Sequence, residues 1–268
     1  MKRQEVTENG VVADFYTDFP HHPQKAIIML GGSEGGKSWS LIRKPIAYLV
    51  HKGYAVLSLA YFRESGLPDS LEEIPLEYFE KAFHWLSEQK TVVGNQYGIL
   101  GGSKGAEAGL VLASRYPQVK AVIALSPSSV VWQGIPRKRF ELGKDVKSSW
   151  TYHEKELPFL TYPYPIKKLD LYLLRLRRIH EQALRDKSSV SSATIQVEKI
   201  QGAILLISGN QDRMWPATPM GEMITDRLKL NNFEYHFEHQ SYNAGHNGIV
   251  MNRDCWRKIG TFLDNNLS

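Results

Sequence analysis

The sequence predicts an α/β fold: a mostly parallel twisted sheet with an N-terminal antiparallel hairpin, helices on both faces and one lid-like insertion. Three observations carry this reading. Asn9-Gly10 separates two short β-prone segments, five short apolar runs recur between turn residues, and segments of helical period lie between those runs. In chain order, Glu5-Val6-Thr7 and Val11-Val12-Ala13-Asp14-Phe15-Tyr16 form the hairpin's arms, because Asn-Gly accepts the positive φ angles of a tight turn. The apolar runs at residues 26–30, 55–59, 97–100, 121–125 and 203–207 show no polar alternation, as expected of strands covered on both faces. Helical periodicity appears over residues 39–51, 76–89, 104–115, 220–230 and 255–265, so strand and helix alternate and the strands run parallel. Residues 127–199 break this rhythm with prolines, aromatics and basic residues, including a helix-like segment over 169–185. We read them as an insertion over the carboxyl ends of the strands, where such sheets bind ligands.

At 268 residues, with 42% hydrophobic and 23% charged, the chain can bury one sizeable core, and one domain is expected across residues 1–268. No apolar run is long enough to span a bilayer, and the start, Met1-Lys2-Arg3-Gln4-Glu5, turns polar without a secretory apolar stretch. A soluble, cytoplasmic protein without a membrane partner is therefore expected. Cys255 stands alone, which excludes an internal disulfide and a multi-thiolate metal site; it reads as a buried or inert thiol, and no metal or cofactor is expected. The formal charge of +5 is modest and its Lys and Arg are scattered with no nucleic-acid motif, so the expected partner is a small molecule.

Two glycine motifs compete. Gly31-Gly32-Ser33-Glu34-Gly35-Gly36-Lys37-Ser38 follows a strand, precedes a helix and matches the phosphate loop G-x-x-x-x-G-K-[ST], in which loop N–H groups cradle phosphates, Lys37 neutralises them and Ser38 holds magnesium. Gly101-Gly102-Ser103-Lys104-Gly105 also joins a strand to a helix and matches the nucleophile elbow G-x-S-x-G. With glycine at about 7% of residues, the elbow arises by chance in roughly one chain in ten and the phosphate loop in about one in a hundred. The remainder of each machine decides between them. A phosphate-loop enzyme needs an acidic residue at the end of an apolar strand to organise magnesium, and the strands ending at Leu59-Ala60-Tyr61, Gly101-Gly102 and Leu125-Ser126-Pro127 offer none. An α/β-hydrolase needs an acid and then a histidine in loops after later strands. Asp212 follows the 203–207 run, and His246 lies in Asn243-Ala244-Gly245-His246-Asn247-Gly248 before the final helix.

These residue types suit acyl transfer. Ser103 would sit on a strained turn, with larger residues at Gly101 or Gly105 colliding with the crossing helix or strand. His246 would take its proton and return it to the leaving group, Asp212 would fix the imidazole tautomer, and the backbone N–H groups of Ser33 and Lys104 would form the oxyanion hole. Each residue also has an ordinary structural reading: a serine in a Gly-rich turn, an aspartate stabilising a turn, a packed or surface histidine such as His21, His22, His51 and His84. Their chain order is what lifts the triad above it. In the insertion, Trp132, Trp150, Phe159, Tyr162 and Tyr164 read more readily as core than as acyl pocket, and Arg137-Lys138-Arg139 and Arg175-Leu176-Arg177-Arg178 as solvated faces. Two other readings stay open: a nucleotide-binding protein using Lys37 and Ser38, and a non-catalytic binding protein of hydrolase fold.

Five stretches carry a family resemblance: Gly31-Gly32-Ser33-Glu34-Gly35-Gly36, Ile74-Pro75-Leu76-Glu77-Tyr78-Phe79, the elbow, Val130-Val131-Trp132-Gln133-Gly134-Ile135-Pro136, and Ser208-Gly209-Asn210-Gln211-Asp212-Arg213-Met214-Trp215-Pro216. Over nearly its whole length the chain resembles the catalytic domain of the acyl-CoA thioesterase and bile-acid-CoA:amino-acid N-acyltransferase family, a dienelactone-hydrolase-like branch of the α/β-hydrolases. The resemblance implies hydrolysis of acyl thioesters or carboxylic esters, with Ser103, Asp212 and His246 matching the family's triad. The basic charge would suit a nucleotide-tailed thioester. Two departures stand out. Animal members carry an amino-terminal β-sandwich domain where this chain has room for a hairpin, so recognition of coenzyme A does not follow. The amino-acid transferases use Cys where this chain has Ser103, which favours water as acceptor.

Overall fold

The computed structural model describes residues 1–18, 22–138, 145–163, 169, 172–173 and 176–267. His21, Arg139, Tyr164 and Arg175, named above, lie outside them, as does part of the helix-like 169–185 segment. The chain opens with β1 (Lys2–Val6) and β2 (Val12–Thr17), paired antiparallel with Val6 opposite Ala13. Between them Asn9 and Gly10 take φ angles of 53° and 78°, and Val11 N–H donates to Glu8 C=O at 2.9 Å, closing the expected turn. There follow β3 (Gln24–Leu30), α1 (Ser38–Leu41), α2 (Arg43–His51), β4 (Ala55–Ala60), β5 (Ile74–Pro75), α3 (Glu77–Ser87), β6 (Val92–Gly102), α4 (Lys104–Ala113) and β7 (Val119–Leu125). After them come β8 (Trp150–Tyr152), β9 (Lys155–Glu156), α5 (Arg177–Ala183), α6 (Lys187–Ala193), β10 (Ala203–Gly209), α7 (Ala217–Leu230), β11 (Phe237–Tyr242) and α8 (Arg253–Asn266).

Eight strands form one sheet in the order β1-β2-β4-β3-β6-β7-β10-β11. The first two join antiparallel, and every pairing from β4 onward is parallel. Alternate strand residues face opposite layers. Ile28, Leu30, Leu57, Ile99, Val122 and Ile204 pack against α3, α4 and α7, while Ile27, Met29, Val56, Leu100, Ile123 and Leu205 pack against α2 and α8. This sandwiching explains why the runs lack polar alternation. The chain leaves β3 for β4 on one side and returns to β6 on the other, so the loops after β3 and β6 splay apart at a topological switch point. Those are the two glycine loops, and the fold brings them face to face.

Two elements differ from expectation. The helix read over 39–51 is broken into α1 and α2 at Ile42, whose φ and ψ are −107° and 77°. Pro45 accounts for the break: it has no N–H for the carbonyl of Leu41 and its ring would collide with it, so the helix restarts with proline in its first turn. The second is a small sheet, β5-β8-β9, that ties the insertion to the segment before α3. Its strands of two and three residues are too short for periodicity to reveal. Trp132 and Trp150 of the insertion are fully buried, and Phe159 and Tyr162 pack on the cores, in keeping with their reading as core residues. Among the described residues no helix is long and apolar enough to cross a membrane, and no group of His, Cys, Asp or Glu is placed to hold a metal ion. Cys255 lies on the buried face of α8, and burial pushes its thiol up to about 12.

Candidate active site

Ser103 sits between β6 and α4 with φ 55° and ψ −118°, a backbone conformation that a residue with a side chain adopts only when its surroundings enforce it. Two neighbours do so. A Cβ on Gly101 would lie 2.0 Å from the carbonyl oxygen of Gly105, and one on Gly105 would lie 2.3 Å from that of Leu30 at the end of β3. The elbow is thus wedged between its own helix and the central strand, as the sequence predicts. Ser103 N–H donates to Leu125 C=O at 2.8 Å, which pins the turn to β7. Lys104 opens α4, so its N–H has no acceptor within the helix.

Asp212 lies in the loop after β10 and is 1% exposed. Its Oδ1 accepts the N–H groups of Met214 at 2.8 Å and Trp215 at 3.2 Å, and its Oδ2 lies 2.6 Å from Nδ1 of His246. A carboxylate held by two backbone donors has one lobe left for the imidazole, which fixes the ring's orientation and leaves Nε2 free to accept a proton. The histidine loop follows β11 and is stitched to its neighbours: Gln211 N–H donates to Ala244 C=O at 3.0 Å, and the Ser126 hydroxyl to His246 C=O at 3.2 Å. Ser103 and His246 line one cavity of about 470 Å³, together with Gly32, Glu34, Trp39 and Val250. Among the described residues no hydrogen bond joins the serine hydroxyl to the imidazole, a contact that commonly tightens when substrate arrives. Ser33 and Lys104 adjoin the lining residues Gly32 and Ser103 in sequence.

The first glycine loop does not favour phosphate, because three of its N–H groups already have protein acceptors: Gly32 donates to Glu34 Oε1 at 2.8 Å, Gly35 to Gly32 C=O at 3.4 Å and Gly36 to Phe62 C=O at 2.9 Å. The Lys37 ammonium turns to the hairpin, 2.8 Å from Glu5 and 3.3 Å from Asp14. Partial burial works against its charge, but the two carboxylates outweigh that and raise its pKa.

A family model described as BAAT / Acyl-CoA thioester hydrolase C terminal matches residues 74–249, from β5 to beyond His246. The chain belongs to that family. Acyl-coenzyme A thioesterase 2, mitochondrial, of Mus musculus is 28% identical over 235 residues, which is 87% of this chain and 47% of that protein. Acyl-coenzyme A amino acid N-acyltransferase 1 of Mus musculus is 27% identical over 231 residues, 85% of this chain and 50% of that protein. The chain therefore spans about half the length of these curated relatives. Among solved structures, the α/β hydrolase GrgF from Penicillium sp. sh18 superposes with a TM-score of 0.66 at 16% identity, covering 99% of each chain. An esterase of Pyrococcus furiosus gives 0.64 at 17% identity, covering 100% of this chain and 93% of that one. These two likenesses establish the α/β-hydrolase fold.

Around Ser103, Asp212 and His246, this member of the BAAT C-terminal family holds polar groups that the sequence reading missed. The side chain of Lys104 is fully buried, with Nζ 2.6 Å from Glu107 and 2.7 Å from the Ser149 hydroxyl. Glu107 Oε1 also accepts the Trp150 indole N–H at 2.8 Å and the Trp132 backbone N–H at 3.2 Å, so the pair bolts α4 to the insertion. Burial drives the Lys104 ammonium down and the Glu107 carboxyl up, each opposed by the other's charge. One signal was available: two opposite charges three residues apart in a helix otherwise made of Ala, Gly, Leu and Val must be buried together. Arg177, read as solvated, instead donates to the carbonyl of Asp212 at 3.0 Å and so braces the acid loop. His180 is enclosed by Trp132, Tyr162 and Trp215, and burial pushes its imidazole down to about 4. Trp215 in turn stands edge-on to His246, with ring centres 5.8 Å apart. The described residues of the insertion thus pack behind Asp212 and His246, and none of them lines the Ser103 cavity.

Proposed function

We propose that this chain is a serine hydrolase of acyl thioesters or carboxylic esters, a single α/β-hydrolase domain over residues 1–268 that works through an acyl-enzyme on Ser103. One observation carries the reading: His246, oriented by a buried aspartate at 2.6 Å, shares a cavity with a serine held in the strained elbow conformation. A structural serine has no need of that strain or of an oriented imidazole beside it. In the first step Ser103 Oγ attacks the substrate carbonyl while His246 Nε2 takes its proton. The oxyanion that forms meets the backbone N–H groups of Lys104 and Ser33, the former at the positive end of α4. The tetrahedral intermediate collapses, the thiol or alcohol leaves with the proton from His246, and water repeats the sequence to free the acid. Water is the favoured acceptor because the acyl group is held as an oxygen ester on serine. The relatives named for acyl-coenzyme A thioester chemistry support the thioester as the first substrate class to test.

Ser103→Ala should lower kcat by about 10⁴-fold or more on every substrate that the parent cleaves. A panel of acyl-CoAs, aryl esters and aminoacyl amides, run on parent and variant, checks this alongside stoichiometric labelling of Ser103 by a fluorophosphonate. Full activity in the variant would end the proposal, and absence of labelling with absence of turnover would favour a binding protein of hydrolase fold.

A further inference from the structure

Among the described residues Lys104 is the one Lys or Arg that is buried, and it directly follows Ser103 in the chain. Its ammonium donates to Glu107 Oε1 at 2.6 Å and to Ser149 Oγ at 2.7 Å, and lies 5.6 Å from the centre of the Trp150 ring. Both acceptors are themselves held from the insertion. Ser149 Oγ lies 3.0 Å from Trp132 C=O and 3.1 Å from Gln133 C=O, its single proton shared between them, while Glu107 Oε1 takes the Trp132 and Trp150 donors. None of these side chains lines the Ser103 cavity.

Stability does not account for the arrangement. Two charges taken out of water repay their desolvation poorly, and apolar side chains of similar volume often serve a fold as well or better. The rest of α4 is buried with such side chains, among them Leu110, Val111 and Leu112. The network is also incomplete: Glu107 Oε2 is buried without a hydrogen-bond partner. A pair kept for stability alone would have that oxygen satisfied, so its worth lies in what it holds in place. What it holds is one peptide unit. The N–H of Lys104, proposed above as an oxyanion donor, belongs to the same peptide as the Ser103 carbonyl, and that carbonyl accepts the Glu107 N–H at 3.1 Å. Glu107 therefore grips this unit twice, by its backbone at the carbonyl and by its side chain at the Lys104 ammonium. Ser103 is strained at φ 55° and ψ −118°, and strain of that kind persists only where the surroundings forbid relaxation.

We infer that Glu107 and Ser149 are positioning residues which, through the Lys104 side chain, fix the first turn of α4 so that the Lys104 N–H aims at the substrate oxyanion. The insertion thereby acts on the rate from behind the site: it sets the aim of a donor without touching substrate. The inference rests on the hydrolase reading and gives the buried pair a role in that reaction.

Lys104→Met combined with Glu107→Gln removes both charges together, which spares folding and leaves the aim unsupported. In that variant kcat/KM on an aryl ester should fall by about 10- to 100-fold, less than or equal to the loss of a whole oxyanion donor. An aryl trifluoromethyl ketone reads the aim directly: Ser103 Oγ adds to its carbonyl, the hydroxyl proton passes to His246, and an oxyanion stays on the former carbonyl oxygen. Its Ki should rise by the same factor as kcat/KM falls. The alcohol made by reducing that ketone cannot take the nucleophile, and its Ki should change by about twofold or less. Ser149→Ala, which leaves the ion pair intact, should shift the ketone Ki the same way by about three- to tenfold, and it carries the test alone if the double variant does not fold. Ketone affinity that stays at the parent's value in the folded variants, or ketone and alcohol affinities that weaken together, would overturn the positioning role. A parent protein showing neither ester turnover nor ketone inhibition would instead bring down the hydrolase reading, and this role with it.

Discussion

Lys37 and Lys104 each belong to a glycine loop at the carboxyl end of a strand, β3 and β6, and those strands are neighbours in the sheet. Lys37 reaches outward to Glu5 and Asp14 on the hairpin, with Glu5 63% exposed. Lys104 turns inward to Glu107 and Ser149, where both charges are sealed from water. The loops differ in the same sense. In the first, the N–H groups of Gly32, Gly35 and Gly36 are consumed by protein acceptors. In the second, the Ser103 N–H is tied to β7 and the start of α4 keeps its own donors. What a glycine loop can bind thus depends on where its N–H groups go, and a motif that fixes only residue types does not record that.

The contrast predicts unequal costs for the same substitution. Lys104→Met leaves the Glu107 charge buried with only two indole and backbone donors, a loss of about 3–5 kcal/mol. Lys37→Met leaves Asp14 paired with Arg3 at 3.0 Å and should cost about 1 kcal/mol or less. Urea unfolding of both variants measures the difference. Adding Glu107→Gln to Lys104→Met should restore most of the loss, since the amide oxygen still accepts from both tryptophans and no net charge remains. Equal costs for the two lysines would show that the elbow's ion pair is not sealed as described.

The same asymmetry sets a pH floor on the elbow side. His180 is buried near Lys104, Asp212 and His246, with its pKa pushed from 6.5 to about 4 by burial. The unfolded chain therefore binds a proton that the folded chain refuses between those two values, and stability falls as pH drops through that window. The full loss amounts to about 3 kcal/mol for a shift of this size. Urea midpoints at neutral pH and near pH 4.5, in the parent and in His180→Phe, read it directly: the variant should lose most of the slope. An unchanged slope would assign the acid sensitivity to other groups.

How much of this was legible beforehand follows from the range of the interactions. The parallel strands, the hairpin turn at Asn9-Gly10 and the elbow's need for glycine are local, and each left a pattern in neighbouring residues. The order Ser103, Asp212, His246 was legible because the fold fixes which strand ends meet. The break at Ile42 was missed although Pro45 announces it, because apolar periodicity continues across it. The grip of Arg177 on Asp212 and the cage around His180 join residues 18 to 48 apart through tertiary packing, and no spacing rule reaches them.

Glu34 gives the smallest and most local test of the comparison, because it belongs to the first loop yet faces the second. Its carboxylate accepts the Gly32 N–H and lines the Ser103 cavity; a Cβ on Gly32 would lie 2.8 Å from Glu34 Oε2 and 3.1 Å from Ser103 Cβ. Negative charge forms on the substrate oxygen in the transition state, and a fixed carboxylate nearby repels it. Glu34→Gln keeps an acceptor for Gly32 and removes the repulsion, so kcat/KM on a neutral aryl ester should rise about two- to fivefold, most clearly at low salt. A fall in kcat/KM would instead mean that the carboxylate works with the substrate, holding a donor group on the acyl portion. In that case the first loop contributes specificity to the site as well as its backbone, and the division of labour between the two loops is less sharp than their lysines suggest.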